Sequence, residues 1–151
     1  MGNLGSFCVV AGVVLVDVLT KTLVRYLYRQ GNLIFFRTGF FSLRYVENPG
    51  GAFGIFPRRS SLFLFVTFLA VVLMVYLLFF SSVNHFFIQI GLAVLLGGSC
   101  GNLIDRLVDG VVLDFLQFGS MPIFNIADIA IVSGTVLIVL GLVGGNKLIE
   151  T

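Results

Sequence analysis

Four of the seven acidic residues of this chain fall between positions 105 and 128, although only 11% of its residues are charged. The stretch GNLIDRLVDGVVLDF (101–115) holds Asp105, Asp109 and Asp114 with Arg106 among them, and FNIADIA (124–130) holds Asp128. Asp114 interrupts the apolar, strand-like run VVLDFLQF, where alternation sets it opposite Leu113 and Phe115. An acid there needs a partner, and Asp128 is a geometrically reasonable one. Two carboxylates in a partly dry site do not both ionise freely. One keeps its proton and the other acts as base, the pairing that aspartic proteases use to set water against a peptide carbonyl. Asp128 also has a plainer explanation. Asn125 fits the N-cap of a helix, which puts Asp128 at the third helical position, where free N–H groups and the helix dipole favour an acid. That dipole biases Asp128 towards the charged role, and coupling leaves open which aspartate holds the shared proton.

Other spacings carry less. GGSCG (97–101) has the form G-x-S-x-G, but it lies in an apolar helix rather than a strand–turn–helix elbow, and His85 sits at the far end of that helix. Gly97 and Gly101 read instead as a G-x-x-x-G packing pair. GGAFG (50–54) lacks the G-K-[ST] of a phosphate loop. A single histidine and no Cys/His cluster argue against zinc, and no other metal or cofactor is expected. Cys8 and Cys100 lie in apolar stretches and read as small buried hydrophobes. Asp17 and Lys21 are spaced i, i+4 and share a helix face, as do Asn102 and Arg106. Arg106 can snorkel or neutralise Asp105 and Asp109, and Asp109 reads as a solvated charge.

The elements that must position these groups follow from composition. Hydrophobic residues make up 58% of 151, seventeen of them Phe, and the mean hydropathy is +1.11. One domain of this length has too little core to hide so much apolar surface, so a bilayer is its solvent. A net charge of +2 with no basic run argues against nucleic acid. Spans of about twenty apolar residues are expected at about 7–28, 62–80, 86–104 and 126–145. The first carries Asp17, Lys21 and Arg25, lacks a basic n-region, and reads as a span rather than a cleaved signal peptide. Segments 32–57 and 111–125 are aromatic and β-branched with Gly and Pro punctuation. Such backbone does not face lipid. The expected fold is a mainly α membrane protein, one integral-membrane domain over 1–151, with four transmembrane helices. A small β-rich cap is formed between helices 1 and 2 and between helices 3 and 4.

Read together and in order, DVLTK (17–21), NPGGAF (48–53), GGSCGNLIDRLVDGVVLDF (97–115) and FNIAD (124–128) resemble the lipoprotein signal peptidase (signal peptidase II) family nearly end to end. The resemblance implies a metal-free aspartyl endopeptidase of the bacterial cytoplasmic (inner) membrane. Its substrates would be prolipoproteins carrying diacylglyceryl on a cysteine, cleaved just before that cysteine, and its inhibitor the cyclic peptide globomycin. It implies Asp114 and Asp128 as the catalytic pair. Asp17, Lys21, Asn48, Gly50, Gly101, Asn102, Arg106, Asn125 and Ala127 take supporting or substrate-facing roles. Partners would be lipidated substrate and membrane lipid, with the protein a monomer and its site at the extracytoplasmic face. Gly51 stands where the family often has Ala, Pro49 stiffens that loop, and the link between the two aspartates is short. Charge pulls the other way on orientation. Arg25, Arg29, Arg37, Arg44, Arg58, Arg59 and Arg106 lie on the cap side against Lys147 opposite, which the positive-inside rule reads as a cytoplasmic cap. The competing class is a four-span transport or assembly protein whose charges line a path. It fits less well, because the acids cluster at one boundary and the second span is uncharged.

Overall fold

A computed structural model describes residues 2–31, 36–49, 60–81, 83 and 85–146. In chain order the elements are α1 (Asn3–Arg29), β1 (Phe36–Thr38), β2 (Phe41–Asn48), α2 (Ser60–Phe79), α3 (Phe86–Val108), β3 (Val112–Phe118) and α4 (Ile126–Asn146). Each helix falls on one of the expected spans, and all four are long and apolar enough to cross a membrane. At 1.5 Å per residue, even the 20 residues of α2 match a hydrocarbon core of about 30 Å. Two boundaries differ from expectation. α1 begins at Asn3, and α3 continues past position 104 to Val108, so Asp105 and Arg106 sit on the helix rather than beyond it. Leu103, Ile104 and Leu107 sustain the helix, which stops where Gly110 takes the left-handed conformation at φ 73°. Gly31 ends α1 in the same way at φ 74°.

α3 is the central helix, packed against α1, α2 and α4. Lipid tails are as apolar as leucine, so helices here associate through close packing and hydrogen bonds rather than by escaping the solvent. The glycines of α3 make this possible on two faces. A methyl on Gly91 would lie 2.8 Å from the Gly134 carbonyl oxygen, and one on Gly98 2.5 Å from that of Ala127, both on α4. Gly97 instead meets Val13 of α1 at 2.7 Å, and a methyl on Gly101 would strike the Asp17 carboxylate. The Gly97/Gly101 pair is thus the α1 seam, and Gly91 and Gly98 form a second seam with α4. Met74 and Leu78 of α2 close the apolar core on Leu92, Ala93 and Leu96. Outward residues such as Phe65, Phe68, Val72 and Tyr76 are exposed on α2, as a lipid-facing surface requires.

The three strands form one antiparallel sheet in the order β1-β2-β3. β3 pairs with β2 in a register that sets Val46 opposite Asp114 and Asn48 opposite Val112, with an irregularity between Leu43 and Val46. Alternation along β3 turns Leu113 and Phe115 onto Val24 of α1 and sends Val112 and Asp114 to the other face. The sheet stands where α1 and α3 end and α4 begins. Residues 32–35 and 50–57 of the expected cap lie outside the described residues.

Candidate active site

Asp114, in the middle of β3, and Asp128, at the third position of α4, line the same cavity of about 420 Å³. Asn48, Asn102, Arg106 and Ser133 complete its polar lining. Pro122, Ile123 and Phe124 make an apolar one that continues along Ile129 and Val132. Asp114 is buried, and its oxygens accept from Asn125 Nδ2 at 2.7 Å and Asn48 Nδ2 at 2.9 Å. Burial pushes its carboxyl up to about 6, with the Asp128 charge adding to the rise and the Asn48 and Asn125 donors opposing it.

Asp128 is held by a reciprocal cap. Asn125 Oδ1 accepts from the Asp128 N–H at 3.0 Å, and Asp128 Oδ2 accepts from the Asn125 N–H at 3.2 Å. The other oxygen, Oδ1, accepts from Asn102 Nδ2 at 2.8 Å. The helix-start role and a place in the cavity therefore coexist in one side chain. Asn125, wholly buried, ties the two acids together: its backbone and Oδ1 serve Asp128 while its Nδ2 serves Asp114.

Behind this pair lies a buried ionic cluster. Lys21, 1% exposed, sits 2.7 Å from Asp17 and 2.8 Å from Asp105, and donates to Asn102 Oδ1 at 3.2 Å. Asp17 in turn accepts from the Ala127 N–H at 2.9 Å, a free donor in the first turn of α4. Arg25 reaches Asp105 at 2.9 Å and Asp109 at 2.7 Å. A buried ion taken from its partners is costly, about 3–5 kcal/mol, so this cluster fixes α1, α3 and the start of α4 in one geometry.

Of the residues singled out from sequence, Asp17, Lys21, Asn48, Asn102, Asp114, Asn125 and Asp128 form one continuous network. Arg106 lines the cavity and donates to the Asn102 carbonyl at 3.3 Å. Gly101 and Ala127 are packing positions beside Asp17 rather than cavity walls. Gly50 lies outside the described residues. Asp109 is not a bare solvated charge, since it holds Arg25. Sequence reasoning set Asp105 against Arg106 and gave Arg25 no partner, whereas the ion pairs of Asp105 are with Lys21 and Arg25. The signal was present: Asp17, Lys21 and Arg25 repeat at i, i+4, i+8, and Asn102, Asp105 and Asp109 at i, i+3, i+7, two polar stripes suited to face each other.

The chain is similar to known proteins over most of its length. Residues 9–143 match the family model of Signal peptidase (SPase) II. The chain is 41% identical over 132 residues to the lipoprotein signal peptidase of Pelotomaculum thermopropionicum, covering 87% of each chain. It is 37% identical over 126 residues to that of Moorella thermoacetica, covering 83% of this chain and 84% of the other. A bacterial membrane enzyme solved by the in meso method at 2.3 Å superposes with a TM-score of 0.82 at 29% identity, over 94% of this chain and 89% of that one.

Proposed function

The chain belongs to the signal peptidase II family, a family of membrane aspartic endopeptidases that process lipoproteins, and from that premise we propose the reaction its own residues perform. It removes the signal peptide from diacylglyceryl-modified prolipoproteins immediately before the lipidated cysteine, with Asp114 and Asp128 as the catalytic pair. The observation that carries this reading is the meeting of two differently held carboxylates on one cavity at the sheet end of the bundle. Asp128, facing fixed N–H donors, is the base and takes a proton from water as the water oxygen attacks the scissile carbonyl carbon. Asp114, whose burial favours the neutral form, donates to the carbonyl oxygen as charge develops there. Collapse of the tetrahedral intermediate breaks the C–N bond. The leaving cysteine nitrogen takes the proton held by Asp128, and a hydroxyl of the intermediate returns a proton to Asp114 as the new carboxyl group forms.

Asn48 and Asn125 orient Asp114, and Arg106 faces the substrate backbone from the cavity wall. The apolar wall along Ile129 and Val132 suits acyl chains, each buried CH₂ contributing about 0.8 kcal/mol. Cleavage of a precursor peptide in detergent, with and without its diacylglyceryl group, tests the assignment. The lipidated form should turn over far faster, and equal turnover would rule the substrate reading out. A monomer is the proposed working unit.

The site is proposed to lie at the outer face of the inner membrane, the side the family resemblance implies. The arginines on the sheet side weigh less against this than their number suggests, because Arg25 is neutralised by Asp105 and Asp109. Ser120, exposed beyond β3, reports the orientation. After Ser120→Cys, with Cys8 and Cys100 replaced by Ser, an impermeant thiol reagent should label intact cells. Labelling only after lysis would put the site inside.

A further inference from the structure

We propose that Lys21 is a positioning residue that fixes which end of the Asn102 amide faces Asp128. The inference rests on the catalytic reading of Asp114 and Asp128. A primary amide is nearly symmetric in shape, so packing alone does not choose between its two orientations; its hydrogen-bond partners do. Asn102 Oδ1 receives two donors, Lys21 Nζ at 3.2 Å and Asn125 Nδ2 at 3.1 Å, while Asn102 Nδ2 faces Asp128 Oδ1 at 2.8 Å. Turning the amide over would set NH₂ against an ammonium and a second NH₂, and a carbonyl oxygen against a carboxylate. All three contacts would become repulsive.

Lys21 is itself immobilised. Its three N–H donors have three acceptors, Asp17, Asp105 and Asn102, and it is almost fully buried. The ammonium thus acts on Asp128 at second hand, through an amide it holds the right way round. Asp128 is then met by N–H donors at both oxygens, from Asn102 and from the backbone of Asn125. Among the described residues, the charged groups around it are Arg106 from α3 and Asp114 from β3 on the cavity, with Lys21 and Asp17 of α1 and Asp105 of α3 behind the amide.

Asn102→Asp tests this directly. It keeps shape and Lys21's acceptor but replaces the donor facing Asp128 with an acceptor. Relative to wild type at each pH, cleavage should fall about 100-fold at pH 7.5 and recover to within about tenfold near pH 5, where a proton on the new carboxyl restores a donor. A variant-to-wild-type ratio that does not change with pH, or wild-type rate at pH 7.5, would overturn the proposal. Lys21→Met combined with Asp17→Asn removes the cation without stranding the Asp17 charge, and Asp105 keeps Arg25. It should lower kcat about tenfold and leave KM within about twofold. Unchanged kcat with raised KM would assign the cluster to substrate binding and overturn the proposal. Either variant decides alone if the other does not fold. Loss of these two effects with the aspartates still essential refutes only the positioning role, whereas full activity without either aspartate refutes the catalytic reading beneath it.

Discussion

The two halves of α3 are joined to their neighbours by opposite means. From Phe86 to Gly98 the helix carries no charge and meets α4, α1 and α2 through glycine seams and the Met74–Leu96 cluster. From Asn102 to Asp109 it meets α1, β3 and α4 through asparagines and ion pairs. Among lipid tails the first half gains stability only from contact distance, so it is indifferent to chemistry and intolerant of added volume. The second half must satisfy every buried donor and acceptor, because each one left over costs several kcal/mol. It is tolerant of little except faithful replacement of charge and hydrogen bonds. The polar half is also where the cavity opens.

The largest break in this comparison comes at the aspartates. Asp114→Asn and Asp128→Asn preserve volume, so the fold should persist while cleavage falls by roughly 10²–10⁴-fold in each. The double variant should be scarcely worse than either single one, because the pair acts as a unit. Cleavage of lipidated precursor, followed beside thermal unfolding, checks both; wild-type turnover in either variant sinks the assignment. Asp114 also leaves a mark on stability. Its carboxyl is raised from 3.8 to about 6, so the folded state holds the proton more tightly than the unfolded chain. That contribution is fully present below pH 3.8 and is lost as pH rises through about 6. Between pH 4 and pH 8, the stability of Asp114→Asn relative to wild type should therefore climb by up to about 3 kcal/mol, at about 1.4 kcal/mol per pH unit. A pH-independent difference would mean that burial does not bias this group.

At the apolar half the sharper probe is volume. Gly98→Ala places a methyl 2.5 Å from the Ala127 carbonyl oxygen, where backbone rather than a flexible side chain must yield. Overpacking of this kind costs about 1–3 kcal/mol. Because Ala127 adjoins Asp128, activity should fall with stability, unlike the aspartate variants. Gly144→Ala, with nothing within 4 Å of the added methyl, should be neutral and serves as the control. Equal thermal midpoints for the two alanine variants would remove the case for a tight α3–α4 seam.

How far this was legible in sequence differs between the same two halves. Runs of about twenty apolar residues announce their helices, since the bilayer imposes a length. Asn125 and Asp128 were readable as a helix start because capping is local in sequence. Asp114 was conspicuous as an acid in an apolar strand. What stayed hidden needed a third element. The bridge from Asn125 to Asp114 exists only once β3 lies beside the start of α4, and the Lys21–Asp105 pair only once α1 lies on α3. The spacing of each stripe was visible, but a single helix does not disclose which neighbour it faces. The glycines show the same limit. Gly97 and Gly98 are adjacent in sequence and serve different partners, so the G-x-x-x-G reading captured one seam and missed the other.

The smallest predicted effect lies at the rim of the polar half and measures how sharply its demands fade. Asp109 holds Arg25 at 2.7 Å, but its side chain is 41% exposed, and Arg25 keeps Asp105 when Asp109 is removed. Water competes for both members of such a pair, so its worth is about 0–1 kcal/mol. Asp109→Asn should accordingly leave cleavage near normal and lower the unfolding midpoint slightly at low salt. The deficit should vanish towards 1 M salt, where screening acts over about 3 Å. Arg25 links Asp109 to Asp105 and thence to Lys21, which gives the measurement a second use. If Asp109→Asn instead cuts turnover more than about tenfold with stability intact, the exposed rim controls the buried pair through Arg25. The boundary drawn here between a solvated edge and a dry catalytic cluster would then have to move outward.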